Sequence, residues 1–531
     1  MCSSDLLWFV STYSEDTKKR TKSKPVGKKD SRQKKVTRRE PPGTVILTSS
    51  STDGGITWSS ATKVSENIVW AQSPYIACSP DGNNVCAVWD EARSTPHEPY
   101  ARRLHPLADD VNILSNNDCS GKTHSPVMLR NGDELYAAWY SYWGDIYFNY
   151  SADKGATWLS DEVKVNGNSV QSVPVLCMGN EGTLYIGWFD NSSIKVAFST
   201  DKGMNWTEET VCSVEEDVQY RFPWQKPLHI GAVGNTAYLV WCEDRLGDQE
   251  IYFCRRVSGQ GWSSPLCLSR KMESETDLGD EGEFGSGAPS LAFDNSGNVY
   301  VAWHDIWKTG DLEGKRDIYV RRSGDYGASW DSPARVYRGN AGEYDSCRPV
   351  LALANGHVYV SWTETRDGNT PGVYFNASSD RGKRGSWGIA RRIDGDSGDF
   401  KKAMMPIISV DESCVYVAWL DFSAQNKELF FNVSSDYGNT FQSTATQLSG
   451  PETRDRIFPR MAASTGKVWV TWMEERSGKW DVFLRRSIDH GTNWGTTISV
   501  DSTPVGNSHA ALPQVAVENR EASVAWSDDR N

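Results

Sequence analysis

Three short stretches follow one another in the middle of the chain: Val299-Tyr-Val-Ala-Trp303, Asp317-Ile-Tyr-Val320 and Ser323-Gly-Asp-Tyr-Gly-Ala-Ser-Trp330. The first two are rich in β-branched and aromatic residues, which suit a pleated, half-buried surface. The third is a turn. Its aspartate accepts hydrogen bonds from nearby backbone N–H groups, and its glycine supplies a positive φ that a side chain would resist. The same phrases recur outward in both directions. Val358–Trp362, Val415–Trp419 and Val468–Trp472 repeat the tryptophan-ending strand. The strand-ending tryptophans 89, 139, 188, 241, 303, 362, 419, 472 and 526 stand 49 to 62 residues apart. The turn Ser-x-Asp-x-Gly-x-Thr-Trp, with small variations, starts at Ser51, Ser151, Ser199, Ser323, Ser434 and Ser487, and a copy two residues longer starts at Ser378. Its aspartates are Asp53, Asp153, Asp201, Asp325, Asp380, Asp436 and Asp489.

Four short antiparallel strands per unit at this period describe an all-β protein, a β-propeller of about nine to ten four-stranded blades spanning residues 1–531. Strand two of each unit is a continuous apolar run, as expected of a strand buried on both faces. The 531 residues include 23 Trp and 45 Gly, in keeping with short strands and tight turns. No apolar run is long enough for a membrane-spanning helix.

The first strand-like run, Leu7–Ser11, matches the second strand of a unit, and Ala522–Trp526 is again a second strand. Eight full units therefore lie between two partial ones. An open reading frame truncated at both ends is expected, and one large ring or parts of two rings would fit.

Net charge is −13, with 56 Lys and Arg against 69 Asp and Glu, which argues against nucleic acid as a partner of the body of the protein. The charge is uneven. Lys18–Arg39 carries twelve bases and one acid, within a basic insertion over 13–42, and Glu273–Glu283 carries six acids, within an acidic inter-blade loop over 270–286. Such runs read as solvated loops. Cys78 with Cys86, and Cys242 with Cys254, flank turns symmetrically. They are expected either within disulfide reach or as buried thiols. The eight His show no zinc-ligand spacing, so no metal is assigned and no cofactor is called for, although calcium on turn acids suits a secreted propeller.

The turn is similar to the Asp-box, or BNR repeat, and from about Leu7 onward the chain resembles the sialidase superfamily of β-propellers. That resemblance implies an extracellular or cell-surface protein. Its open face, opposite the Asp-boxes, would bind a glycan or an extracellular protein, or hydrolyse a sialoside as an exo-glycosidase. A sialidase needs an arginine cluster for the substrate carboxylate, a tyrosine nucleophile paired with a glutamate, and an acid/base aspartate. The nearest match to the family's first arginine motif is Tyr220-Arg221-Phe222-Pro223, which departs from it in sequence and in its mid-chain place. The other candidates are Arg348 and Arg456 at blade entrances, with Tyr344 and Glu343 as the nucleophile pair. An acid just after the strand-ending Trp recurs in most units (Glu243, Glu364, Asp421 and Glu474 among them), often with an Arg beyond it. Such repetition points to scaffold rather than chemistry. The binding reading is preferred over the hydrolytic one.

Overall fold

The computed structural model describes residues 44–528 except 52–56, 66–69, 79–84, 93–97, 106–110, 114–122, 142–143, 168–173, 191, 215–227, 245–248, 270–286, 307–314, 338–339, 341, 367–369, 396–401, 423–425, 451–453, 501–509 and 519–520. The basic insertion, the acidic loop, the run at Leu7, Asp53 and Arg221 lie outside the described residues.

Nine antiparallel four-stranded sheets form the blades of one ring. The first strands of blades 1 to 9 are Trp70–Cys78, Thr123–Asn131, Val175–Met178, Leu228–Val233, Gly287–Phe293, Asp345–Ala354, Ala403–Asp411, Arg456–Ser464 and Ala510–Glu518. Each packs against the first strand of the next blade, and the ninth packs against the first, which closes a circle around a central channel. Blade 9 is shared by the two ends of the described chain. Its strands one and two are Ala510–Glu518 and Glu521–Asp528, whereas strands three and four are Val45–Ser51 and Thr62–Lys63. The seam is a seven-residue antiparallel ladder from Val45↔Asp528 to Ser51↔Ala522. The two partial units predicted at the ends thus meet in one blade. Among the described residues there is no helix.

Strand two is buried on both faces, as its apolar run required: Val299, Val301, Ala302 and Trp303 are all fully buried. Apolar clusters fill the gaps between blades. Between blades 5 and 6, for example, Tyr300, Ile318 and Val336 meet Val358, Val360 and Trp362.

The Asp-box is both a turn and a rivet. In blade 2, Ser151 Oγ accepts from Gly155 N (2.9 Å) and donates to Asp153 Oδ1 (2.9 Å). Asp153 then accepts from Thr157 N (2.8 Å) and Thr157 Oγ1 (2.6 Å). The same bonds recur at Asp201, Asp325, Asp436 and Asp489. In the longer copy Asp380 instead faces Lys383 Nζ at 3.0 Å. The box aromatic reaches backward and meets a strand-three aromatic of the preceding blade edge-on. The pairs are Trp206 on Phe148, Trp330 on Phe253, Phe441 on Phe375 and Trp494 on Phe431, with centroids 4.8 to 5.1 Å apart. The box glycine is needed twice over. Gly438 has φ +82°, and a Cβ there would stand 2.6 Å from Phe375. A side chain would meet strain and a clash together.

The cysteine expectation resolves to thiols. Cys242, Cys254 and Cys86 are all thiols outside any disulfide. Cys242 pairs across the ladder with Ile251 and Cys254 with Leu239. Parity therefore sends Cys254 into the cluster on one face of blade 4 and Cys242 into the cluster on the other. In blade 1, Cys86 pairs with Ala77 rather than with Cys78. Symmetric flanking of a turn did not translate into facing positions.

Candidate functional site

Seven of the nine first strands carry a register shift beside a proline. In blades 5 to 8 the residue before that proline is held at positive φ: Ala288 (50°), Arg348 (56°), Met405 (59°) and Phe458 (51°). A non-glycine residue pays for this conformation, and a following proline disfavours helical backbone, so the device is costly and repeated. Bulges of this kind re-aim side chains. Arg348 is exposed, as are Met405 (37 %) and Phe458 (38 %). First strands are flanked by neighbouring blades and by their own strand two, so their exposed side chains face the channel.

Arg348 shares its blade entrance with the Tyr344–Glu343 pair. Tyr344 Oη donates to Glu343 Oε1 at 2.6 Å, and Glu343 Oε2 accepts from Asn340 N at 2.9 Å. The hydrogen bond to Glu343, with burial second, raises the Tyr344 hydroxyl above the usual tyrosine range. The same bond holds the Glu343 carboxyl below its ordinary range. The proton thus stays on the tyrosine. The Arg366 guanidinium is stacked on Tyr344 (4.1 Å) and Tyr374 (4.3 Å) and is ion-paired with buried Glu364.

Arg456, two blades away, is fully buried, and each of its three guanidinium nitrogens is bonded. Its Nε donates to Glu474 Oε2 (3.0 Å), its Nη1 to the Arg454 carbonyl (2.9 Å) and its Nη2 to the Gly450 carbonyl (3.3 Å). The structure therefore brings Arg348, Tyr344 and Glu343 to one blade and places Arg456 inside another.

The recurring acid after the tryptophan is a buried acceptor. Glu91, Glu243, Glu364 and Glu474 accept from the indole Nε1 of Trp89, Trp241, Trp362 and Trp472 at 2.7 to 3.4 Å. Where that place is held by the shorter Ser141, Asp190, Asp305, Asp421 or Asp528, the indole of Trp139, Trp188, Trp303, Trp419 or Trp526 finds no acceptor among the described residues. Between the glutamates and the aspartates, one methylene decides whether the bond forms.

A second interior position also escaped the sequence reading. Asn149, Asn376 and Asn432, all within Asn-x-Ser/Thr triplets, are buried. Their amides clip the preceding blade to their own: Asn432 Nδ2 donates to the Ile393 and Gln442 carbonyls, both at 2.9 Å. The even spacing of this asparagine two residues before the box serine was the available signal.

Two buried cationic or titratable groups were also missed. His304 packs beside Arg316, Asp345 and Arg348. Burial first, then the Arg316 charge, pushes it down to about 3, so it is neutral near pH 7. Arg316 makes a bidentate pair with Asp345 (2.6 and 2.8 Å) that ties blade 5 to blade 6. Arg460, next after Pro459 in blade 8, is 7 % exposed, and its Nη1 donates to the Pro459 carbonyl at 3.1 Å. Its Nε meets no acceptor, and no carboxylate among the described residues faces it. Burial pushes it down to about 10, so it stays charged near neutral pH. Thr471 Oγ1, on the strand-two residue paired with Arg460, is likewise buried and without a partner among the described residues. Alternation expects an apolar residue there, and sequence spacing gives no sign of a charge. Among the described residues no three His, Cys, Asp or Glu come together as a metal site requires, and no helix is long and apolar enough to cross a membrane.

Among solved structures the chain is similar to a polysaccharide lyase, with 10 % identity, 68 % of this chain and 90 % of that chain covered, and a TM-score of 0.40. It is similar to an α-L-arabinofuranosidase from Fusarium graminearum, with 15 % identity, 68 % and 91 % covered, and a TM-score of 0.33. A Trypanosoma rangeli sialidase in complex with the inhibitor DANA matches at 15 % identity, with 61 % and 56 % covered and a TM-score of 0.32. No curated protein matches the chain. The sequence model of the BNR repeat-like domain matches residues 243–523, more than half of the chain and most of the Asp-boxes, and the chain belongs to that family.

Proposed function

We propose that this chain is an exported, sialidase-like propeller that binds a glycan on its open face without hydrolysing it. The observation that carries the reading is the state of the candidate chemical groups. Tyr344 is held protonated by Glu343, Arg366 is neutralised by Glu364, and Arg456 is consumed by Glu474 and two carbonyls. A carboxylate clamp needs guanidinium groups that converge and are free to pair. Only Arg348 of the described candidates is exposed. An open propeller face is a ready docking surface without any chemistry.

The hydrolytic reading draws on one contact, the 2.6 Å bond between Tyr344 and Glu343, which is the pairing such a mechanism would use. The two readings separate in one experiment. The folded protein is given a fluorogenic sialoside between about pH 5 and 7, with Tyr344→Phe and Arg348→Ala alongside. No turnover, together with retention on a glycan array, is the expected result. Turnover that Tyr344→Phe abolishes overturns the binding reading in favour of hydrolysis. A folded protein that retains no glycan overturns it as well and turns the search to protein partners.

A further inference from the structure

We propose that the channel wall of blades 6 to 8 binds an anionic polysaccharide, with Arg348 and Arg460 taking its sulfate or uronate groups and Met405 and Phe458 taking an apolar sugar face. This rests on the glycan-binding reading and names the class of glycan. Three observations carry it independently of the family.

The first is placement. Arg348, Met405 and Phe458 hold the same register position, just before Pro349, Pro406 and Pro459, on consecutive first strands. Each has positive φ and each is exposed. The strained bulge recurs in four adjacent blades, and in three of them it presents a large exposed side chain, different in each.

The second is Arg460. A guanidinium 7 % exposed, with its Nε unbonded and no carboxylate near it among the described residues, is an uncompensated buried charge. Removing a charge from water is expensive unless a counter-charge repays it. The paired Thr471 Oγ1 also has no partner among the described residues. An anion's oxygens would satisfy both. Arg460 sits two residues from Phe458, at the edge of the exposed row.

The third is chemical match. The row reads cation, thioether, aromatic, cation from Arg348 through Met405 and Phe458 to Arg460. A neutral glycan leaves both guanidinium groups unanswered, and a simple inorganic anion leaves the apolar pair unused. A sugar chain bearing sulfate or carboxylate uses all four. With the whole chain at −13, attraction is short-range and confined to this wall.

The test is binding by fluorescence anisotropy at physiological salt. The labelled probes are heparin, which carries sulfate and uronate, hyaluronan, which carries uronate alone, and neutral dextran. Competition with polyglutamate controls for charge alone. Heparin and hyaluronan both bound, or heparin alone, supports the site and says which anion it takes. Arg460→Met is expected to raise the melting temperature of the free protein, because it removes a buried unpaired charge, while weakening heparin about ten- to a hundredfold. Phe458→Ala is expected to weaken heparin several-fold with the melting temperature unchanged. An Arg460→Met protein that melts lower and binds as before overturns the proposal, since Arg460 is then structural. Polyglutamate that competes as well as heparin, with Phe458→Ala silent, overturns it too. Retention of neutral glycans alone overturns the anionic class and leaves the glycan-binding reading standing. Retention of no glycan removes both.

Discussion

Gly438→Ala is the sharpest probe of how the blades are joined. Two terms add at this position. An alanine forced to φ +82° costs about 1–2 kcal/mol over glycine. Its Cβ would stand 2.6 Å from Cε1 and Cζ of Phe375 in the preceding blade, and relieving such overpacking costs about 1–3 kcal/mol more. The expected loss is about 2–5 kcal/mol. Gly356→Ala is the matched control: its φ is +76° and a Cβ there meets nothing within 4 Å, so only the first term applies. The difference between the two variants isolates the contact. Over 531 residues the unfolding entropy is roughly 1 kcal/mol per kelvin, so a global melt would shift by only about 2–5 °C. Hydrogen exchange at the seam between blades 6 and 7 is the better assay, because repeat arrays open locally. Pairing Gly438→Ala with Phe375→Leu completes a cycle, and a favourable coupling of about 1 kcal/mol or more is expected. Equal losses for Gly438→Ala and Gly356→Ala, with no coupling to Phe375, would show that the box glycine serves its turn alone and that the rivet is misread.

Two other perturbations test the interior. Glu364→Asp shortens the acceptor that serves Trp362 Nε1 and Ser346 Oγ and should cost about 1–3 kcal/mol, whereas Glu181→Asp, in the exposed turn between strands one and two of blade 3, should be silent in the same chemical-denaturation series. His304 has a folded pKa near 3, below its ordinary 6.5, so its contribution to stability is fully present above about pH 6.5 and is lost as pH falls toward 3. The loss is on the order of 3 kcal/mol by pH 4. His304→Leu should flatten that limb of the stability-versus-pH curve; an unchanged limb would mean that His304 is already charged in the fold.

The blades were legible because each repeats the same local physics. A buried strand two, a turn aspartate and a positive-φ glycine are short-range requirements, so Val299–Trp303 and Ser323–Trp330 announce them directly. The direction of the box aromatic was not legible: Trp330 packs on Phe253, which is far away in sequence, and the turn alone does not say which blade it grips. The cysteine reading left disulfide and thiol open, and parity decided for thiols, since a ladder sets facing positions by register and not by distance from a turn. At the candidate site, the Tyr344–Glu343 contact was readable because the residues are adjacent. The fate of Arg456 was not, because its partner Glu474 belongs to the recurring set already read as scaffold, and nothing in spacing says that the two would pair. Arg460 was invisible for the opposite reason: its interest lies in what it lacks.

The shared ninth blade sets an order on assembly. Thr48 Oγ1 bonds the Val524 carbonyl across 476 residues, and joining so distant a pair in a fully flexible chain would cost about 5–6 kcal/mol of loop entropy. The eight intervening blades lower that figure as they form, since each shortens the slack. The clasp is therefore favourable only late. A nascent chain cannot form this ladder until Glu521–Asp528 emerges, and until then the edge of Val45–Ser51 that it occupies is available to other strands.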